Sequence, residues 1–212
     1  MTDGRDGSTT TTISTNLNDR LRLWTDASYK LSGWAGDFAL VMDIQDLGRA
    51  EVHLLRIEER LPAIIKRQRA LTDEAPFVAD DMLPNEVMAL SRLWLFGLYE
   101  SMRTYKSAVN GNARAWTPFI ALNRVLNVVR APLAKHAVAG RAMEHTPGLL
   151  VQPDTGRVGW NVFDPQTNTY RQVFRIALAD ELLSATSALL GAGQAEAEER
   201  NLQRPKSSTT IV

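Results

Sequence analysis

The chain has 212 residues, 44% hydrophobic and 23% charged, with 24 Lys+Arg against 24 Asp+Glu and no cysteine. That length is one ordinary domain with room for a substantial core, and that composition excludes a disordered or fibrous chain. Balanced charge excludes bulk attraction to nucleic acid or membrane, and the missing thiols exclude disulfides, thiolate metal sites and cysteine nucleophiles.

The first sixteen residues, MTDGRDGSTTTTISTN, have no apolar run and predict a disordered tail, not a secretory signal. No stretch approaches the ~20 apolar residues that span a bilayer, so a cytoplasmic chain without a membrane partner is expected. A single globular domain is expected over residues 17–190. Within it, Leu17–Phe38 carries Trp24, Tyr29 and Trp34 but is punctuated by Asp26, Ser32, Gly33 and Gly36, which predicts irregular structure.

From Asp37 to Leu71, Val41, Ile44, Leu47, Val52, Leu55, Ile57, Leu61 and Ile64 recur at helical steps. Arg56, Glu58, Glu59, Arg60, Lys66, Arg67 and Arg69 take the other side, and Pro62 should kink or split the helix. The Lys66–Arg69 cluster suits a last helical turn, where cations complement the dipole. Thr72–Leu83 reads as an acidic linker. Pro84–Lys106 then predicts a central helix that is apolar almost all the way round, with Val87, Leu90, Trp94, Leu98 and Tyr105 on one face, widened by Met88, Leu95 and Met102. Asn110-Gly111 should end it.

A third long helix is expected from Thr117, as N-cap, with Pro118 at its first position and Phe119, Leu122, Val125, Leu126, Val129 and Leu133 as its apolar face. Pro132 should bend it and Gly140 stop it. The period then changes to two. Val158, Trp160 and Val162 alternate along a half-covered strand, and turns at Asp154–Gly156 and Asp164–Asn168 predict an antiparallel β-meander over about residues 149–175. A helix over 176–190 and a polar flexible tail over 191–212 complete a mainly α chain: an antiparallel bundle of three long helices with a small sheet and a C-terminal helix.

No phosphate-binding loop, dinucleotide fingerprint, nucleophile elbow or paired-histidine motif is present. With His53, His136 and His145 alone, no metal and no cofactor is expected. Two constellations remain. The first is the polar sector of the central helix: Arg92, Phe96, Tyr99, Glu100 and Arg103. On the third helix, Asn123, Asn127 and Arg130 share a stripe, so the two polar stripes should face each other. The seam is either a structural lock or a nucleotide- or phosphate-binding pocket built from Arg92, Tyr99, Glu100, Arg103, Asn123 and Asn127.

The second is Arg130-Ala-Pro-Leu-Ala-Lys-His136. An Arg and a following His late in a helical bundle resemble the catalytic motif of the HEPN superfamily. Those are small helical domains, many of them metal-independent endoribonucleases of toxin–antitoxin and phage-defence systems. The resemblance spans residues 40–140 at most. It implies a bacterial homodimer whose motifs meet across the interface, with Arg130 gripping phosphate and His136 moving the proton. Ala131 and Pro132 stand where the family usually has a polar residue. On an ideal helix His136 lies about 120° from Arg130, among Leu122, Val125 and Val129, where it could equally be a core histidine. Two functions are therefore expected from different classes: an RNA- or nucleotide-acting protein, or a non-catalytic module that buries a protein partner.

Overall fold

The computed structural model describes residues 16–70, 82–135 and 148–189. It is mainly helical, with a small antiparallel sheet and a C-terminal helix, and its first element departs from expectation. Leu17–Ala35 is one continuous helix, α1, where irregular structure was expected. Its buried stripe is Arg20, Trp24, Ala27, Ser28 and Leu31. The stripe has helical spacing, but Arg20 and Ser28 occupy positions where an apolar pattern is sought. Tyr29, which looks like a core residue, is exposed. Asn16 caps the helix by accepting the Asn18 N–H at 3.0 Å, and Gly36 ends it at φ +66°.

Helix α2 covers Ala39–Glu58 and α3 covers Leu61–Ala70, split just before Pro62. The central helix α4 spans Leu83–Ala108, enclosing the expected Pro84–Lys106. Val87, Trp94, Leu95, Leu98, Met102 and Tyr105 are buried along it. A short helix, α5 (Ala113–Trp116), and a tight 3-10 turn (Thr117–Phe119) lead into α6, Ile120–Lys135. Helical backbone thus begins before Thr117. Asn112 is the cap, accepting from the Ala115 N–H at 3.1 Å. With α1 added, four long helices replace the expected three. Gly140 and both expected tails lie outside the described residues, apart from Asn16.

The sheet is β1 (Gly148–Val151), β2 (Val158–Asp164) and β3 (Thr169–Phe174), antiparallel in that order, with Trp160 opposite Leu149 on one side and Val173 on the other. Of the residues of β2 only Asn161 is exposed: Val158, Trp160 and Val162 join the core, and on the other face Phe163 lies against Tyr170 and Gly159 against Phe174 of β3. Helix α7, Arg175–Ser187, follows β3 directly. One core joins these elements, with Trp24 edge-on to Trp94 (6.3 Å, 89°) near one end and Tyr105, Trp116 and Phe119 clustered near the other.

Two glycines set close approaches. A Cβ on Gly48 of α2 would stand 2.5 Å from the Trp24 Cβ, so only glycine lets α1 and α2 cross there. Gly156, in the turn between β1 and β2, has φ +68°, and its Cβ would fall 2.0 Å from the Glu58 carbonyl oxygen. The turn is thereby seated on the end of α2. Gly156→Ala should cost at least ~2 kcal/mol in urea denaturation, combining a left-handed residue with a backbone clash; an unchanged midpoint would show that this seat is not tight.

Candidate functional site

Helix α2 presents two different polar faces. Glu51 and Glu58 are two turns apart and lie inward, buried among core residues. Glu58 was expected on the solvated side; its partners, distant in sequence, draw it in. Glu51 accepts from Arg20 Nε (2.8 Å) and from the Trp24 indole N–H (2.6 Å), with a second bond from Arg20 Nη2. Arg20 also donates to Asp180 of α7 at 2.7 Å. Glu58 accepts from Arg175 Nη2 (2.8 Å), the Val158 N–H (3.2 Å) and Arg157 Nη1 (3.0 Å). Arg175 Nη1 lies 3.9 Å from Glu51, joining the halves, and the guanidinium sits 5.7 Å from the centre of the Trp94 ring.

Three guanidiniums meet three carboxylates in this cluster, so it is charge-neutral. Both oxygens of Glu51 and both of Glu58 are occupied by donors. Neither cleft described below is lined by these carboxylates or by Arg20 or Arg175. The arrangement can hold α1, α2, α7 and the sheet in register. No local sequence signal marks it. Arg175 is fully buried, as is Trp160, whereas Tyr170 is more than half exposed and edge-on to Phe163.

The seam between the central and third long helices forms in part. Arg130 of α6 lies over the Tyr99 ring at 4.5 Å and 3.9 Å from Glu100, which also accepts from Arg103 Nε at 2.6 Å. Asn127 donates instead to the Asn123 carbonyl of its own helix at 2.8 Å. Arg92 is half-buried, and its Nε has no partner among the described residues. His136 lies outside the described residues. Among them, no group of three or more His, Cys, Asp or Glu could hold a metal ion, and no helix is long and apolar enough to cross a membrane.

The other face of α2, about 100° round from Glu51, forms one wall of an open groove of about 520 Å³ whose second wall is α4. Leu47, Leu54, Leu90 and Trp94 make an apolar floor. Ala50, Gly97 and Ser101 keep its middle shallow-sided, and Asp43, Asp46, His53, Glu100 and Thr104 stand along it. Leu93 is 65% exposed at its edge. The Trp94 indole donates to the Leu47 carbonyl at 2.9 Å, fixing the floor across the two helices. A second cleft, about 350 Å³, lies between α3 (Pro62, Ile65, Lys66, Arg69) and the turn at Pro153-Asp154. The first groove escaped sequence reading because each wall supplies only half of it. Its one local trace is the Leu90, Leu93, Gly97, Ser101, Thr104 stripe on a helix expected to be covered on most sides.

Asp180 and Glu181 titrate above the ordinary carboxylate range because burial disfavours their charged forms. Arg20 pulls Asp180 back only partly, with Glu51 opposing it, and Arg171 does the same for Glu181. For Arg20, burial works against the charge, but Glu51 and Asp180 outweigh it and its pKa is raised. A folded chain with raised carboxylate pKa values keeps protons that the unfolded chain has released. Stability from these groups therefore falls as pH climbs from the ordinary aspartate value of 3.8 through the raised folded value of Asp180. Asp180→Asn keeps an acceptor for Arg20 and removes this titration. In urea denaturation from about pH 4 to about pH 7, wild type should lose stability relative to Asp180→Asn as pH rises; a constant difference would contradict the assignment.

No protein-family model, curated protein or solved structure matches the chain.

Proposed function

We propose that this chain is a non-catalytic interaction module that receives a partner in the groove between α2 and α4. The observation that carries this is the groove itself: an open, apolar-floored channel with an exposed leucine on its lip, in a chain whose buried carboxylates and guanidiniums, among the described residues, are ion-paired with one another. A homodimer, another protein and a cytoplasmic setting are all compatible with that use.

A second reading is kept alive by Arg130. Its guanidinium is 30% exposed and oriented by Tyr99 and Glu100, a posture suited to gripping a phosphate. On that reading the chain is a HEPN-like dimer of a toxin–antitoxin or phage-defence system. It would cleave RNA without metal through Arg130 and His136, or bind a nucleotide beside Arg92, Tyr99, Glu100, Arg103, Asn123 and Asn127.

One pair of assays separates the two. The purified chain, incubated with structured RNA in chelator, should leave the RNA intact, and Leu93→Glu should abolish a stoichiometric complex with the native partner without moving the melting temperature. RNA cleavage lost in both Arg130→Ala and His136→Ala, with their melting temperatures retained, would establish the nuclease instead.

A further inference from the structure

Resting on the docking reading above, we infer that the occupant of the α2–α4 groove is an amphipathic helix of a partner protein, with a row of apolar side chains flanked by Lys and Arg. Shape argues for a helix. The residues lining the groove recur at Asp43, Asp46/Leu47, Ala50 and His53/Leu54 on α2, and at Leu90, Leu93/Trp94, Gly97, Glu100/Ser101 and Thr104 on α4. Each set is a stripe with helical period, about 17 Å long on α2 and about 21 Å on α4. A channel two helical stripes wide and three to four turns long accepts side chains at i, i+4, i+7 and i+11 of a third helix. It is too drawn-out to enclose a compact ligand of comparable volume. In the middle, Ala50, Gly97 and Ser101 let a third backbone approach. Gly97 also lets the two walls meet closely: a Cβ there would lie 3.0 Å from Leu47 Cδ2 of α2.

Charge argues for basic flanks. The lining carries three carboxylates, Asp43, Asp46 and Glu100, and no Lys or Arg. Asp46 is held by Arg49 and Glu100 by Arg103, with Arg130 a further 3.9 Å neighbour of Glu100; the Arg49 and Arg103 pairs are solvent-exposed, and a competing cation can open them at little cost. Asp43 is exposed and has no ion pair among the described residues. Neighbouring this lip, Met42 and Leu93 are more than half exposed and extend the apolar surface beyond the floor. A helix with Leu in the channel and Lys or Arg over Asp43, Asp46 and Glu100 would satisfy both.

The test uses the full chain and two fluorescein-labelled designed peptides of about 18 residues, with the same leucine row and either Lys or Glu on the flanking positions. Fluorescence anisotropy is read for wild type, Leu93→Glu and Asp43→Lys, with melting temperatures measured in parallel and sedimentation run on each protein alone. The Lys peptide should bind wild type at least about tenfold more tightly than the Glu peptide, the gap shrinking as salt rises from about 50 to about 300 mM. Leu93→Glu should lose about tenfold or more with an unchanged melting temperature, and Asp43→Lys should narrow the gap between peptides. Equal or tighter binding of the Glu peptide, still sensitive to Leu93→Glu, overturns the basic occupant and leaves the docking groove standing. Self-association abolished by Leu93→Glu replaces the partner helix with a second copy and also leaves the groove standing. Dodecyltrimethylammonium shifting Trp94 fluorescence in wild type but not in Leu93→Glu, with neither peptide bound, replaces it with a small cationic amphiphile. If no peptide, no second copy and no amphiphile responds to Leu93→Glu, the inference and the docking reading fall together.

Discussion

The fold depends on the ion cluster around Glu51 and Glu58. Two carboxylates on one helix, both essentially without solvent contact, are costly to desolvate, and only a full set of donors makes them tolerable. The chain supplies that set from α1, α7 and the start of β2, regions 27 to 117 residues away from the carboxylates they serve. Well-packed leucines could give as much stability. What charges add is selectivity: any packing of α1 or α7 that slides by a turn strands a buried charge, whereas a slid apolar seam loses little. The cluster thus fixes where the helices stand relative to the sheet.

Placing the cluster on one face of α2 determines what the adjacent face can do. With Glu51 and Glu58 turned inward, Asp43, Asp46, Ala50 and His53 are turned outward beside α4, and no described element covers them. Trp94 stands between the two regions. Its ring lies near the Arg175 guanidinium and the Trp24 ring inside, its N–H holds the Leu47 carbonyl, and it contributes to the groove floor. A rigid floor suits a docking surface, because little ordering cost is left for the moment of binding.

What could be read from the sequence follows from how far each signal reaches along the chain. The central helix, the break at Pro62, the three-stranded meander and the last helix were legible because periodicity, proline and turn residues act over a few positions. Helix α1 was not, because its inward stripe contains Arg20 and Ser28, and a pattern of apolar residues cannot know that Arg20 has a buried partner on α2. For the same reason Glu58 looked like a surface charge. The seam on α4 was partly legible: Tyr99 and Glu100 do meet Arg130, with Arg103 paired to Glu100, since residues three and four apart on facing helices must share a stripe. The groove was hidden for a different reason, being a property of two helices together and of what does not lie over them.

A double-mutant cycle on Arg20 and Glu51 tests the central claim, that this buried pair is a structural lock. Stability is measured by urea denaturation for wild type, Arg20→Met, Glu51→Gln and the double variant. A favourable coupling of about 2–4 kcal/mol is expected, with each single change depriving a buried charge of its main partner and the double variant less damaged than the sum of the singles. Additivity within about 0.5 kcal/mol would mean that the two charges do not depend on each other, and the lock would be contradicted.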